Sequence, residues 1–124
     1  MPSALAIDIM KGGFSPQAAA MVNGQVVTGI SAAGTTITTA TDLIGSVNTL
    51  STVASGAGVQ LPTMQTGDSV TVYNGGANQC IVYPESALVA INQLSVGSGM
   101  TLAVTTGVFF IKVSSTQLIG FMSA

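Results

Sequence analysis

The sequence contains no histidine and no tryptophan, and its basic residues are two lysines, so arginine is absent as well. Charged residues make up 5% of the chain, whereas about a quarter of a typical soluble domain is charged. General acid–base catalysis most often uses histidine. Nucleic-acid binding needs several lysines or arginines to neutralise phosphates. The composition therefore argues against a nucleic-acid partner and leaves few residues for catalysis.

Long apolar runs are also missing, although the chain is 48% hydrophobic with a mean hydropathy of +0.66. A membrane-spanning helix needs about 18 or more apolar residues in succession, and the best candidate, residues 100–113, is broken by threonines, Gly107 and Lys112. The N-terminal residues lack the basic start of a secretory signal peptide and carry Asp8 within their apolar run. A single cysteine, Cys80, cannot form an internal disulfide. We therefore expect no membrane partner and assembly in the cytoplasm.

The polar residues that are present are mainly threonine, serine, asparagine and glutamine. Their amide and hydroxyl groups cost far less to desolvate than ions do. A monomer this poor in charge tends to associate. We therefore expect much of the surface to be buried in an oligomer or against a larger body.

The N-terminal part of the chain predicts an extended arm over residues 1–14 and a short helix over residues 15–24. Ser15 suits the N-cap of this helix, Pro16 suits its first position, and an Asn-Gly pair at residues 23–24 ends it. The threonine-rich, β-branched residues that follow predict short strands. The Gly-rich residues 54–58 then predict a linker. We therefore divide the chain into an N-terminal arm and docking segment, residues 1–53, and a β-sandwich domain, residues 54–124.

Within residues 54–124, strand-like runs recur every 8 to 12 residues, which is typical of sandwiches and barrels. The stretch VTVYNGGANQCIVYP, residues 70–84, predicts a hairpin, because Asn74 and Gly75 tolerate positive φ. A second tight hairpin is predicted between residues 107–113 and 117–122. Both faces of the first of these strands are apolar, which predicts that it is covered on both sides. The fold class expected is all-β: a small antiparallel β-sandwich or barrel with an extended N-terminal arm and at most one short helix.

Three residues, Asp68, Cys80 and Glu85, are candidates for a catalytic or metal-binding role. Asp68 and Glu85 flank the predicted hairpin, and paired carboxylates can act as acid and base, but the simpler interpretation is that both cap turns in solvent. Cys80 lies within a strand without an activating base and is better explained as a small buried hydrophobe. Zinc needs several Cys or His ligands, while calcium held by carbonyl groups and Asp68 stays open. We expect no enzyme, no catalytic residue, no cofactor and no resident metal.

Several short motifs occur in a characteristic order: GVQLP at 58–62, GDSVTVYN at 67–74, GAN at 76–78 and VYP at 82–84. With the closing strands, they resemble small virion surface proteins of tailed bacteriophages, the capsid decoration (cement) or head-fibre proteins. The resemblance covers roughly residues 32–124. Members of that family often end in a strand that carries tryptophan, whereas this chain ends in Leu118 to Phe121 without one.

This resemblance implies a homotrimer that stands on the virion, binds the major capsid protein and stabilises the capsid by bridging neighbouring subunits. Assembly would take place in the host cytoplasm and the final location would be the capsid surface. The alternative is a tail or head fibre, or a receptor-binding β module. Position in the chain suggests capsid contacts for four apolar residues of the arm and subunit contacts for two phenylalanines: Leu5, Ile7, Ile9 and Phe14, and Phe110 and Phe121.

Overall fold

A computed structural model describes residues 25–123, and these residues form ten β-strands and no helix. The predicted arm over residues 1–14 and the predicted helix over residues 15–24 lie outside the described residues. In chain order the strands are β1 (Val26–Ala32), β2 (Thr41–Asp42), β3 (Val47–Val53), β4 (Gly58–Gln60), β5 (Ser69–Asn74), β6 (Cys80–Tyr83), β7 (Ala90–Ile91), β8 (Met100–Leu102), β9 (Gly107–Ser114) and β10 (Gln117–Met122).

The strands build two sheets. Sheet A has the order β1-β3-β5-β9-β10-β7, and sheet B has the order β2-β4-β6-β8. From β1 to β6 the chain alternates between the sheets, and successive strands within each sheet pair in parallel. Each passage through both sheets is therefore one coil, and coils of roughly 20 residues stack on one another as in a solenoid. The protein is a β-solenoid of stacked parallel coils.

The antiparallel sandwich or barrel expected from the sequence is therefore wrong, although the all-β class is right. The predicted hairpin shows the difference most clearly, because β5 lies in sheet A and β6 lies in sheet B. Thr71 of β5 pairs with Val47 of the preceding coil, and Val82 of β6 pairs with Val59. Alternation of buried and exposed residues is common to a strand in either setting, so it does not reveal which partner the strand takes.

The C-terminal strands reverse direction and close the end of the solenoid. β8 pairs antiparallel with β6, and β9 pairs antiparallel with β5. β9 and β10 form the antiparallel hairpin that the sequence predicts, and β7 completes the sheet by pairing in parallel with β10. This cap satisfies the strand edges of the third coil, which would otherwise be free to pair with other chains.

The core lies between the two sheets and is made mainly of aliphatic side chains. In β9 one face points inward and carries Phe110 and Lys112, while the other points outward and carries Phe109 and Val113. The prediction that this strand is covered on both sides does not hold within the single described chain. Among the described residues no buried side-chain nitrogen or oxygen lacks a hydrogen-bond partner. The largest apolar side chains that are fully buried are Leu50, Val59, Val70, Val72, Val82, Ile91, Leu102, Val108, Phe110 and Leu118.

Residues on either side of position 54 belong to the same two sheets. Residues 26–53, expected to form part of a docking segment, supply β1, β2 and β3. The expected linker, residues 54–58, consists of the corner between β3 and β4, residues 54–57, and the first residue of β4, Gly58. Gly58 N donates to the carbonyl oxygen of Gly34 at 3.1 Å. The described part of the chain thus begins in the first coil, and the arm stays a prediction for the residues that precede Gln25.

Candidate functional site

The outer face of sheet A carries a continuous row of register partners across five strands. Val26 pairs with Val47, Val47 with Thr71, Thr71 with Phe109, and Phe109 with Phe121. Paired residues project to the same side of a sheet. The inward neighbours of this row, Val70, Val72 and Phe110 among them, are fully buried. We call these five outward residues the outer row.

Four of the five residues of the outer row are apolar, and the fifth is Thr71. Val47 and Thr71 are half-buried, and the other three are exposed. Val26 is 60% exposed, Phe109 40% and Phe121 59%. A neighbouring row on the same face joins Ser69 to Ile111 and Ile119. No outward-facing residue in the strands of sheet A is charged. Scattered apolar residues are normal on protein surfaces, but a contiguous apolar patch marks an interaction site.

The described residues contain four charged side chains, and two of them are buried together. Lys112 and Glu85 form an ion pair in which the side chains are 9% and 7% exposed. Lys112 Nζ also donates to the carbonyl oxygen of Met64 at 2.9 Å, and Glu85 Oε2 accepts from Met64 N at 2.9 Å. The pair therefore ties β9 to two loops, one before β5 and one after β6. The expectation that Glu85 caps a turn in solvent is wrong.

The other candidate carboxylate, Asp68, does cap a turn. Its Oδ2 atom accepts a hydrogen bond from Gln65 N at 2.8 Å, and the backbone of Asp68 pairs with the backbone of Lys112. Asp68 thus has a local structural role, while Glu85 is held by a cation and a backbone amide. The geometry gives the two carboxylates separate structural tasks. Asp42, in β2 of sheet B, is the remaining charged residue of the described part.

Cys80 is fully buried between the sheets, as the sequence predicts. Burial raises the pKa of its thiol to about 11, and a backbone hydrogen bond involving Val59 opposes this shift. The thiolate is the nucleophilic form of cysteine. At neutral pH this side chain is a neutral thiol in the core.

The structure separates the two phenylalanines expected at a subunit contact. Phe121 lies on the exposed outer row, whereas Phe110 is completely buried within its own chain. Phe109, which the sequence analysis did not select, faces outward opposite Phe121. Strand alternation requires that Phe109 and Phe110 point to opposite sides, but it does not say which of them faces the core. The four expected capsid contacts, Leu5, Ile7, Ile9 and Phe14, lie outside the described residues.

An open groove of about 660 Å³ lies beside β7 and β10 and is lined by Asn92, Gln93, Leu94, Gln117 and Ile119. The side-chain amides of Asn92 and Gln117 are engaged within the chain. Gln117 Nε2 donates to the carbonyl oxygen of Asn92 at 2.7 Å, and Asn92 Oδ1 accepts from Gly120 N at 2.8 Å. These bonds join the residues that follow β7 to β10, so the side chains that form them help to attach β7 to the cap.

Between residues 25 and 123 no cluster of three or more His, Cys, Asp or Glu side chains is placed to hold a metal ion. Over the same residues no helix has the length and apolarity to cross a membrane. No protein-family model, curated protein or solved structure matches this chain. The surface chemistry of sheet A is therefore the feature from which a function is inferred.

Proposed function

We propose that this chain is a virion structural protein that decorates a phage capsid and stabilises it by bridging neighbouring capsid subunits. The observation that carries the structural role is the outer face of sheet A, which carries no charge and exposes the apolar side chains of Val26, Phe109 and Phe121. Burying such a face releases water from apolar surface and removes no ion from solvent. A surface of this kind favours lasting protein–protein contact over chemistry on a small substrate.

The virion assignment draws its support from the motifs between residues 58 and 84, which resemble phage decoration and head-fibre proteins. In this proposal the protein is a homotrimer on the capsid surface, assembled in the host cytoplasm, and its partner is the major capsid protein. It uses no cofactor and contacts neither nucleic acid nor membrane. Leu5, Ile7, Ile9 and Phe14 are the proposed capsid contacts.

Repetition of the contact strengthens the proposed mechanism. A symmetric shell offers many equivalent sites, and an oligomer that engages several of them binds far more tightly than one copy does. Each contact can therefore be modest. The solenoid body, with its strands hydrogen-bonded from coil to coil, would supply a stiff connection between the capsid subunits that it bridges.

A co-sedimentation experiment with capsids of the same virus, purified without this protein, tests the proposal. We expect the full-length chain to bind saturably and to raise the temperature at which the capsids disrupt. A chain that begins at Gln25 keeps every described strand and should lose binding, as should the full-length Ile7→Ser/Ile9→Ser variant. Full-length protein that fails to bind capsids would contradict the proposal, and binding to host cells instead would support the fibre alternative.

A further inference from the structure

We propose that the outer face of sheet A is a subunit interface, covered by the same face of further copies of this chain. The copies would form a cyclic oligomer whose symmetry axis runs along the solenoid. This inference rests on the proposed function in one respect, namely that the protein is an oligomer. It adds the surface, the residues and the symmetry by which that oligomer forms.

The charge distribution favours a second copy as the occupant. The outer face carries no charged side chain, and the lysine in the described residues, Lys112, is buried against Glu85. A partner that brought ions to this face would desolvate them without a counterion, which is costly. A second copy presents a face that is equally free of charge, so apolar contacts form at no such cost.

The direction of the outer row favours cyclic symmetry. The row crosses five strands of sheet A, and coils stack at right angles to their strands, so the row runs along the solenoid axis. Rotation about an axis parallel to the solenoid axis does not change the position of any residue along that axis. Each Phe109 and Phe121 then meets the phenylalanines of the neighbouring copy, and each Val47 meets the equivalent Val47.

Like residues meeting at each height give good packing. Phe109 and Phe121 are directly opposite each other on β9 and β10, so they form one aromatic layer at the capped end of the solenoid. Aromatic side chains bury the most surface per residue and add favourable ring–ring contacts. They are also the residue class in which binding energy concentrates at protein interfaces. The two phenylalanines are therefore the proposed centre of the interface.

The size of the face is sufficient for a specific contact. Five strands spaced about 4.8 Å apart, each about 20 Å long, give on the order of 500 Å² per copy. In a dimer two such faces bury about 1,000 Å², which is near the lower limit for a specific interface. In a trimer three faces bury about 1,500 Å² in total, shared among three contacts. Side-chain relief adds to this figure, because the estimate treats the face as flat.

Cyclic symmetry also places corresponding chain ends together. The described chain enters the first coil immediately before Val26, at the end of the solenoid opposite the cap. In a cyclic oligomer this end of every copy faces the same way. The residues before Gln25 are covalently joined there, so all copies can present them to one capsid surface. The proposed interface is thus compatible with docking to a lattice.

Light scattering on the full-length chain, coupled to size-exclusion chromatography at about 50 µM, tests the interface. We expect an oligomer that Phe121→Lys or Phe109→Lys weakens at least tenfold. Leu88→Lys is the matched control, because Leu88 is 75% exposed and lies in a loop outside sheet A. It should leave the mass unchanged. Circular dichroism verifies that each variant keeps its strands.

A wild-type monomer, or an oligomer that folded Phe121→Lys leaves unchanged, would overturn the inference. Cysteine cross-linking tests the symmetry. Thr71→Cys lies in the middle of the outer row and should form intermolecular disulfides when copper phenanthroline and oxygen supply the oxidant, whereas Thr101→Cys, exposed in β8, should not. An oligomer in which only Thr101→Cys cross-links would overturn the shared face.

The two proposals fail separately. One outcome is that Phe121→Lys loses the oligomer while the wild-type protein does not bind capsids. This outcome supports the interface and contradicts the decoration function. Capsid binding by a protein whose mass is that of a monomer contradicts the interface and leaves decoration in place.

Discussion

The side-chain amide of Asn74 donates a hydrogen bond to the carbonyl oxygen of Leu102 at 3.0 Å, which joins the end of β5 in sheet A to the end of β8 in sheet B. The same amide donates to the carbonyl oxygen of Asn78 at 2.9 Å, and its oxygen accepts from Gly76 N at 3.0 Å. Asn74 is fully buried. One side chain therefore satisfies backbone groups on both sides of a corner of the solenoid.

Replacing Asn74 with alanine should destabilise the protein by about 3 kcal/mol, because it leaves several buried backbone groups without partners. Urea unfolding followed by circular dichroism measures the change. Asn78→Ala is the control, since Asn78 is exposed and donates one side-chain hydrogen bond, to Val53, at 2.9 Å. We expect about 1 kcal/mol for this control. Equal losses in the two variants would show that burial of Asn74 does not matter.

The surroundings of Asn74 show which parts of the fold can be predicted from the sequence and which cannot. The strand-forming residues around it are recognisable, and so is the all-β class. An Asn-Gly pair is the strongest short signal for a hairpin, yet here it begins a corner that carries the chain to the other sheet. At this corner Asn74 bonds to the backbone of Leu102, which lies far along the chain and is not recognisable as a partner from sequence. By contrast, the β9–β10 hairpin was predicted correctly, because its two strands pair with each other locally.

The candidate surface was predictable in character but not in detail. Low charge and high apolarity predict that the chain associates. Phe121, which the sequence analysis places at a subunit contact, is exposed, and the contact itself stays a prediction. Phe110 and Phe109 are adjacent and identical, so only the register of β9 against β5 shows which one faces the core. Glu85 was placed in solvent because its sequence distance from Lys112 hides the ion pair.

Breaking the ion pair between Lys112 and Glu85 should be much more costly than replacing it whole. Lys112→Met leaves a buried carboxylate without its cation, and we expect a loss of about 3 to 5 kcal/mol. Lys112→Met/Glu85→Gln removes both charges and retains an oxygen that can accept from Met64 N, so much of the loss should be recovered. Denaturant unfolding of both variants and of Glu85→Gln completes a double-mutant cycle.

The control for this cycle is Asp42→Asn, which removes an exposed carboxylate in β2. A surface change of this kind should alter the unfolding free energy by less than about 0.5 kcal/mol. A double variant that is no more stable than Lys112→Met would mean that packing of the lysine stem, not the charge pair, stabilises this corner.

Two glycines with positive φ should respond differently to alanine. Gly34 has φ +77, and a Cβ placed there would lie 2.1 Å from the carbonyl oxygen of Thr39. Gly56 has φ +78, with nothing within 4 Å of its Cβ position. Gly56→Ala should therefore cost about 1 to 2 kcal/mol from backbone strain alone, while Gly34→Ala should cost at least twice as much. Thermal unfolding compares the two variants, and similar losses would contradict the close approach at Gly34.

Burial of Cys80 should make the protein less stable in mild alkali. The pKa of the thiol is raised from 9.0 to about 11 in the folded protein, so the unfolded chain releases this proton at lower pH than the folded chain does. Below pH 9 both states hold the proton. Between pH 9 and 11 the unfolded state loses it first, and the free energy of unfolding falls by about 1.4 kcal/mol per pH unit.

From pH 8 to pH 10.5, wild type should therefore lose about 2 kcal/mol more than Cys80→Ala, a variant that lacks this thiol and is otherwise identical. Urea unfolding at each pH measures the free energy of unfolding of both proteins. The cavity left by Cys80→Ala lowers this free energy by the same amount at every pH, so the comparison uses the slope of the free energy against pH. Iodoacetamide at pH 8 offers an independent measure, because alkylation requires an accessible thiolate. We expect Cys80 to react with it only as fast as the protein unfolds. Rapid labelling of folded protein, or parallel pH profiles in the two proteins, would show that solvent reaches the space between the sheets.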